Sequence, residues 1–175
     1  MSGIPVATTV AALLARDLGA FRRSLAAYPD DAAVWAPAAG LPNSAGTLAL
    51  HVAGNLRHFV GAVLGGSTYV RRREEEFSLR SVPRAELDAL LARAAEEVRA
   101  TLDRLDPAAL DREYPAPAGG LRVTTGDFLV HLCTHLAFHL GQADAHRRAV
   151  TGNPEGIGAV ALRETASAHS EPAPG

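Results

Sequence analysis

Three histidines, His131, His135 and His139, recur at every fourth residue of HLCTHLAFHLGQ, a segment that is otherwise mostly apolar. On an α-helix a step of four returns to nearly the same face, so the three imidazoles fall in one stripe. Ionisable rings along a core-like helix make sense where something binds them. A divalent metal ion is the fitting partner, because neutral imidazole is its commonest protein ligand. Two histidines one turn apart can clamp an ion at about 2.0–2.1 Å, but two ligands alone hold it weakly. A third must come from another element, and His51 in TLALHVAGNL is the best-placed candidate. Three protein ligands leave positions open for water or substrate, the arrangement of a catalytic metal. Spacing leaves open whether the 131/135 or the 135/139 pair binds. For His58, His131 and His146 the competing reading is a hydrogen-bonded imidazole in the core.

Other polar groups lie within reach of such a site. Asn55, one turn past His51, can orient a water or an outer group, or simply pack between helices. Gln142 follows His139 by three residues and can serve the site or bond to a neighbouring helix. Arg57, Arg71, Arg72 and Arg73 can clamp carboxylates of a bound molecule, although the mixed-sign run from Arg71 to Glu76 reads first as a solvated loop or helix end. Trp35 and Tyr69 can line a pocket mouth, with a loop Trp plugging one end of a bundle as the simpler account. Cys133 is two residues from both His131 and His135. It therefore points about 160° from their stripe and reads as a small buried apolar group, neither ligand nor nucleophile. No side chain declares itself a general acid or base, so the catalytic residues are unknown at this stage.

Four helical segments must position these groups. The first follows Thr8 and Thr9 as caps and carries Val10, Leu13, Leu14, Leu18, Phe21 and Leu25 at helical spacing up to Tyr28-Pro29. The second runs from about Asn43–Thr47 to Gly65-Gly66, and the third follows Pro83 with an inward stripe from Leu87 to Leu105. Residues 112–123, with two prolines and Gly-Gly, predict a long loop or minor hairpin. Thr124 or Thr125 then caps the fourth helix, which runs to about Val150. The expected architecture is all-α, an up-and-down four-helix bundle over residues 1–155, with a loosely held tail at 156–175.

Composition sets the outer limits. A chain of 175 residues with 47% hydrophobic residues suffices for one well-buried domain. Its formal net charge of −2 gives no reason to expect nucleic acid as a partner. One cysteine excludes an internal disulfide and fits a reducing cytosol. With neither a signal peptide at the start nor an apolar run of about 18 residues, the expected setting is cytoplasmic and away from membranes.

The segments TLALHVAGNLRHFVGAVLGG and HLCTHLAFHLGQ resemble the DinB/YfiT-like superfamily of metal-binding bundles, whose last helix carries two histidines four apart with Gly-Gln shortly after the second. Helix number and order agree over about residues 8–150. The resemblance implies that His135 and His139, which precede Gly141-Gln142, bind the ion with His51, while His131 lies one turn before the site. It also implies a four-helix bundle that is often a homodimer. Some members of that superfamily transfer low-molecular-weight thiols such as bacillithiol, mycothiol or glutathione. An ion with an open position (zinc, nickel, iron or manganese) lowers the pKa of a thiol and presents a thiolate for attack on an electrophilic small molecule. The alternatives are hydrolysis by metal-bound water, or a stress-related metal-binding or dimeric scaffold protein without turnover.

Overall fold

The computed structural model describes residues 6–170. Four long helices build the molecule: α1 (Val6–Ala26), α3 (Ala45–Leu56), α5 (Arg84–Leu102) and α6 (Thr125–Thr151). Two short ones join them, α2 (Asp31–Trp35) and α4 (Arg73–Ser78). Among the described residues there is no strand, only three isolated bridges. The expected all-α bundle is what the chain forms.

Local chemistry accounts for most of the boundaries. Ser44 caps α3 with its hydroxyl accepting from the Thr47 amide at 3.2 Å, and Thr124 caps α6 by accepting from the Asp127 amide at 3.2 Å. Gly152, at φ 69°, closes α6 with its amide donating to the Arg148 carbonyl. Thr8 and Thr9, expected as caps, lie inside α1 instead. The helix extends upstream of them and buries Ala7. The segment around Trp35, expected as a loop, forms α2, because Asp30 accepts from the Ala33 amide at 2.8 Å and nucleates one turn. Trp35 packs against Gly46, where a Cβ would collide with the indole, and its Nε1 donates to the Val82 carbonyl at 3.0 Å. It is a plug.

After Leu56 the second long helix does not stop but widens into π-type turns over Arg57–Leu64. Such widening is rare and is frequent near functional sites. Gly61 and Gly65 of this segment meet Glu97 and Thr101 of α5 so closely that side chains would clash.

The helices pack so that α1 and α3 each lie chiefly against α5 and α6. The first and second long helices thus face each other across the diagonal. Leu14, Leu18, Phe21 and Leu25 of α1 share one core with Leu48, Val52 and Leu56 of α3, Leu87, Leu91 and Val98 of α5, and Leu129, Leu132, Leu136 and Leu140 of α6. Each buried leucine contributes roughly 1.5–3 kcal/mol. The leucines of α6 take the core-facing stripe, and each of the three histidines sits one residue before one of them, about 100° round the helix. That offset turns the imidazoles away from the bundle centre and toward the flank shared with α3.

The stretch before α6 forms a small hairpin-like lobe, with bridges Glu113–Thr124 and Ala118–Leu121 and a turn through Gly119 and Gly120, both at positive φ. The Tyr114 hydroxyl ties it down by donating to the Phe59 carbonyl at 2.6 Å. Beyond Gly152 the chain is irregular and lies against α1, where Arg23 donates to the carbonyls of Ile157 and Gly158. Part of the expected tail, 171–175, falls outside the described residues. No helix among the described residues is long and apolar enough to cross a membrane.

Candidate metal centre

His51 stands in the first half of α3, His135 and His139 one turn apart on α6, and the bundle brings the three rings together. The Nε2 atom of His135 lies 3.3 Å from Nε2 of His51 and 3.2 Å from Nε2 of His139. One ring nitrogen from each of the three lies within 4.8 Å of the others. Four ligands at about 2.0–2.1 Å in tetrahedral array stand about 3.3 Å apart, so these spacings are those of ligands sharing one ion.

Hydrogen bonds on the far side of two rings fix which nitrogen faces inward. Nδ1 of His51 lies 2.9 Å from Oε2 of Glu76. Burial works against ionisation of Glu76, but the hydrogen bonds from Arg71 and His51 and the charge of Arg71 outweigh it and hold the carboxyl below its usual range. An ionised carboxylate only accepts, so Nδ1 carries the proton and Nε2 presents its lone pair. His139 repeats this arrangement, its Nδ1 donating to Oε1 of Gln142 at 2.8 Å. Two lone pairs therefore flank the Nε2 of His135. A proton there satisfies one of them, whereas a cation satisfies all three. Burial, followed by the neighbouring imidazoles His139, His51 and His131 and the charge of Arg71, pushes the pKa of His135 down to about 4. Burial, and after it the neighbouring imidazole of His51, also lowers that of His139 against the opposing bond to Gln142. Both are neutral near pH 7, the form that ligates metal. The residues present fit a divalent ion.

Glu76 is the functional residue that sequence reasoning missed. The run Arg71–Glu76 was expected to be solvated. Its middle residues are exposed, but α4 folds back on α3 so that Glu76 is buried beneath His51. Arg71 grips it with Nε to Oε1 at 2.7 Å and Nη2 to Oε2 at 2.8 Å. Gly54 makes room, since a Cβ at that position would strike Oε1 of Glu76. Carboxylate–histidine pairs of this kind orient metal ligands and raise their basicity.

The remaining candidates separate. Gln142 serves His139 on its own helix rather than bonding to a neighbouring one. His131 is exposed, not a core imidazole; it stacks on Phe128 and stands 6.0 Å from His135 between ring centres. It is outside the three-histidine group. His146 is the core histidine, fully buried between the Tyr28 hydroxyl at 2.7 Å and the Ala36 carbonyl at 2.8 Å. His58 is half-buried against Phe59. Arg57 does not face the cluster: it pairs with Glu97 at 3.0 Å and lies over the Tyr69 ring, 4.1 Å from its centre. Arg72 and Arg73 are exposed. Cys133 is half-buried with its pKa pushed up to about 11, first by burial, so it is a poor nucleophile. Asn55 is buried beside the cluster and, with His131 and His135, lines a cleft of about 500 Å³.

No curated protein matches the chain. Among solved structures, a crystal structure of a conserved protein from Enterococcus faecalis superposes with a TM-score of 0.69 at 20% identity, over 86% of this chain and 100% of that one. That likeness establishes the fold. The sequence match is broader in meaning, because the DinB superfamily model spans residues 13–143, from the first turns of α1 through Ala143 of α6 and thus across His51, His135 and His139. The chain belongs to the DinB superfamily.

Proposed function

We propose that this protein is a metal-dependent enzyme that transfers a low-molecular-weight thiol to an electrophilic small molecule, with His51, His135 and His139 as the metal ligands. The observation that carries the reading is the convergence of three inward Nε2 atoms from two helices, two of them backed by Glu76 and Gln142. The resemblance described above supports a thiol as the group transferred. A bound zinc, nickel, iron or manganese ion supplies Lewis acidity that lowers the pKa of a coordinated thiol.

The chain's own residues have distinct tasks. Glu76 and Gln142 hold the protons on Nδ1 of His51 and His139, keeping the opposite nitrogens available. Arg71 keeps Glu76 ionised. The core leucines of α6 fix His135 and His139 on a rigid helix, so the geometry is set before anything binds. The cleft beside His135 offers room for the acceptor, and its walls are largely apolar. Cys133 takes no part. The protein acts in the cytoplasm, and the resemblance described above supports a homodimer, for which Val130 and Phe138, exposed on α6, are available as contacts.

The test is turnover by tag-free protein of known metal content. Consumption of an electrophile such as 1-chloro-2,4-dinitrobenzene or monochlorobimane, dependent on both the metal and added bacillithiol, mycothiol or glutathione, is the expected result. Metal-dependent turnover that is indifferent to every thiol defeats the transfer reaction.

A further inference from the structure

The cleft beside His135 has a polar group that the metal site does not use. Asn55 is only 7% exposed, and among the described residues its Oδ1 has no hydrogen-bond partner. Leaving a buried acceptor unpaired is costly. Such a group in a cleft wall marks where a ligand donates. The other walls are Phe59, Phe128 and Leu132 from the helices and Leu121 and Val123 from the hairpin-like lobe. No arginine or lysine lines the cleft, and its one ionisable acid, Asp127, is exposed. Besides Asn55, Asp127 and the rings of His131 and His135 the walls are apolar, which favours an uncharged body over a charged one. The volume, about 500 Å³, suits a compact organic molecule of one or two rings.

We propose that this cleft is the acceptor site, and that it takes an uncharged molecule with a flat apolar body and one N–H or O–H that donates to Asn55 Oδ1. This specificity rests on reading the three histidines as the reaction centre, since it is their neighbour His135 that places the cleft next to the chemistry. Asn55 sits one turn after His51 on the same helix. A molecule held by its carboxamide is thereby registered against the metal ligands of both α3 and α6, with its apolar body between Phe59 and Phe128.

Matched probes test this without needing the natural substrate. Indole and 3-methylindole carry an N–H, whereas 1-methylindole has the same size as the latter and no donor. Their affinities for the zinc-loaded protein are read from amide shifts in nitrogen-15 spectra. Indole and 3-methylindole are expected to bind roughly tenfold more tightly than 1-methylindole, the value of one satisfied neutral hydrogen bond. In Asn55→Leu that preference should vanish, and Leu121→Asp at the exposed rim should weaken all three probes alike. Equal binding of the three by the unaltered protein overturns the proposal, as does a preference that survives in Asn55→Leu. Zinc content measured on the same samples keeps the two readings apart. Zinc retained without donor preference overturns the cleft's specificity alone, while donor preference in a protein that cannot hold zinc supports the cleft and removes the metal centre.

Discussion

At the scale of single residues, the three histidines are unequal in how they are held. His51 and His139 each have a partner on Nδ1, whereas His135 depends on burial to stay neutral. Removing Glu76 as a charge should therefore weaken the site without dismantling it. Glu76→Gln is expected to lower zinc affinity by 10- to 100-fold in competition with a chelator, and His131→Ala to leave it unchanged. An equal loss in both variants would mean that His131 is a ligand. Cys133 supplies a second prediction. Its raised pKa means the reactive thiolate accumulates only as the pH climbs toward 11, so alkylation by iodoacetamide at pH 8 should run on the order of a hundredfold slower than for an ordinary cysteine. The rate should climb about tenfold per pH unit up to pH 10; a rate already level at pH 8 would contradict the assignment. Histidine spacing was legible in the sequence because a period of four survives any detail of packing. Glu76 was not, because it lies 25 residues from His51 within a charge run, and only the return of α4 onto α3 distinguishes it from Glu74 and Glu75.

At the scale of elements, the close approach of α4 to α3 depends on Gly54, over which the Glu76 carboxylate sits. Gly54→Ala raises helix propensity but forces that carboxylate away. The expected outcome is a net loss of about 1–3 kcal/mol in denaturant unfolding, together with weakened zinc binding. A variant that is more stable and binds zinc normally would show that α4 is free to shift. The long helices were readable because their apolar residues recur at helical spacing over three turns or more, and α3 and α6 also start at hydrogen-bonding caps, Ser44 and Thr124. The π-type segment Arg57–Leu64 was not, since it keeps the same apolar run as an α-helix and differs only in how the backbone closes its turns. Helices α2 and α4 span five and six residues, too few for a period to register.

For the whole molecule, the core of leucines, Phe21 and valines is separate from the histidine flank, so folding and metal binding are linked but distinct. Stripping the metal should leave helicity by circular dichroism intact. Restoring zinc at a hundredfold excess over its dissociation constant adds about 2.7 kcal/mol and raises Tm by several degrees. Loss of helicity on chelation would instead make the ion part of the fold. The number and order of the four long helices followed from the sequence; which helices are neighbours did not, because any pair of apolar stripes can face each other until loop lengths and side-chain shapes choose. That choice, α3 against α6, is what turns distant histidines into one centre. Anomalous diffraction from crystals of zinc-loaded protein examines it most directly. The account predicts one strong peak bonded to Nε2 of His51, His135 and His139, at about 2.0–2.1 Å from each. A peak on His131 and His135 without His51, or a fully folded protein with no peak near these rings, would contradict it.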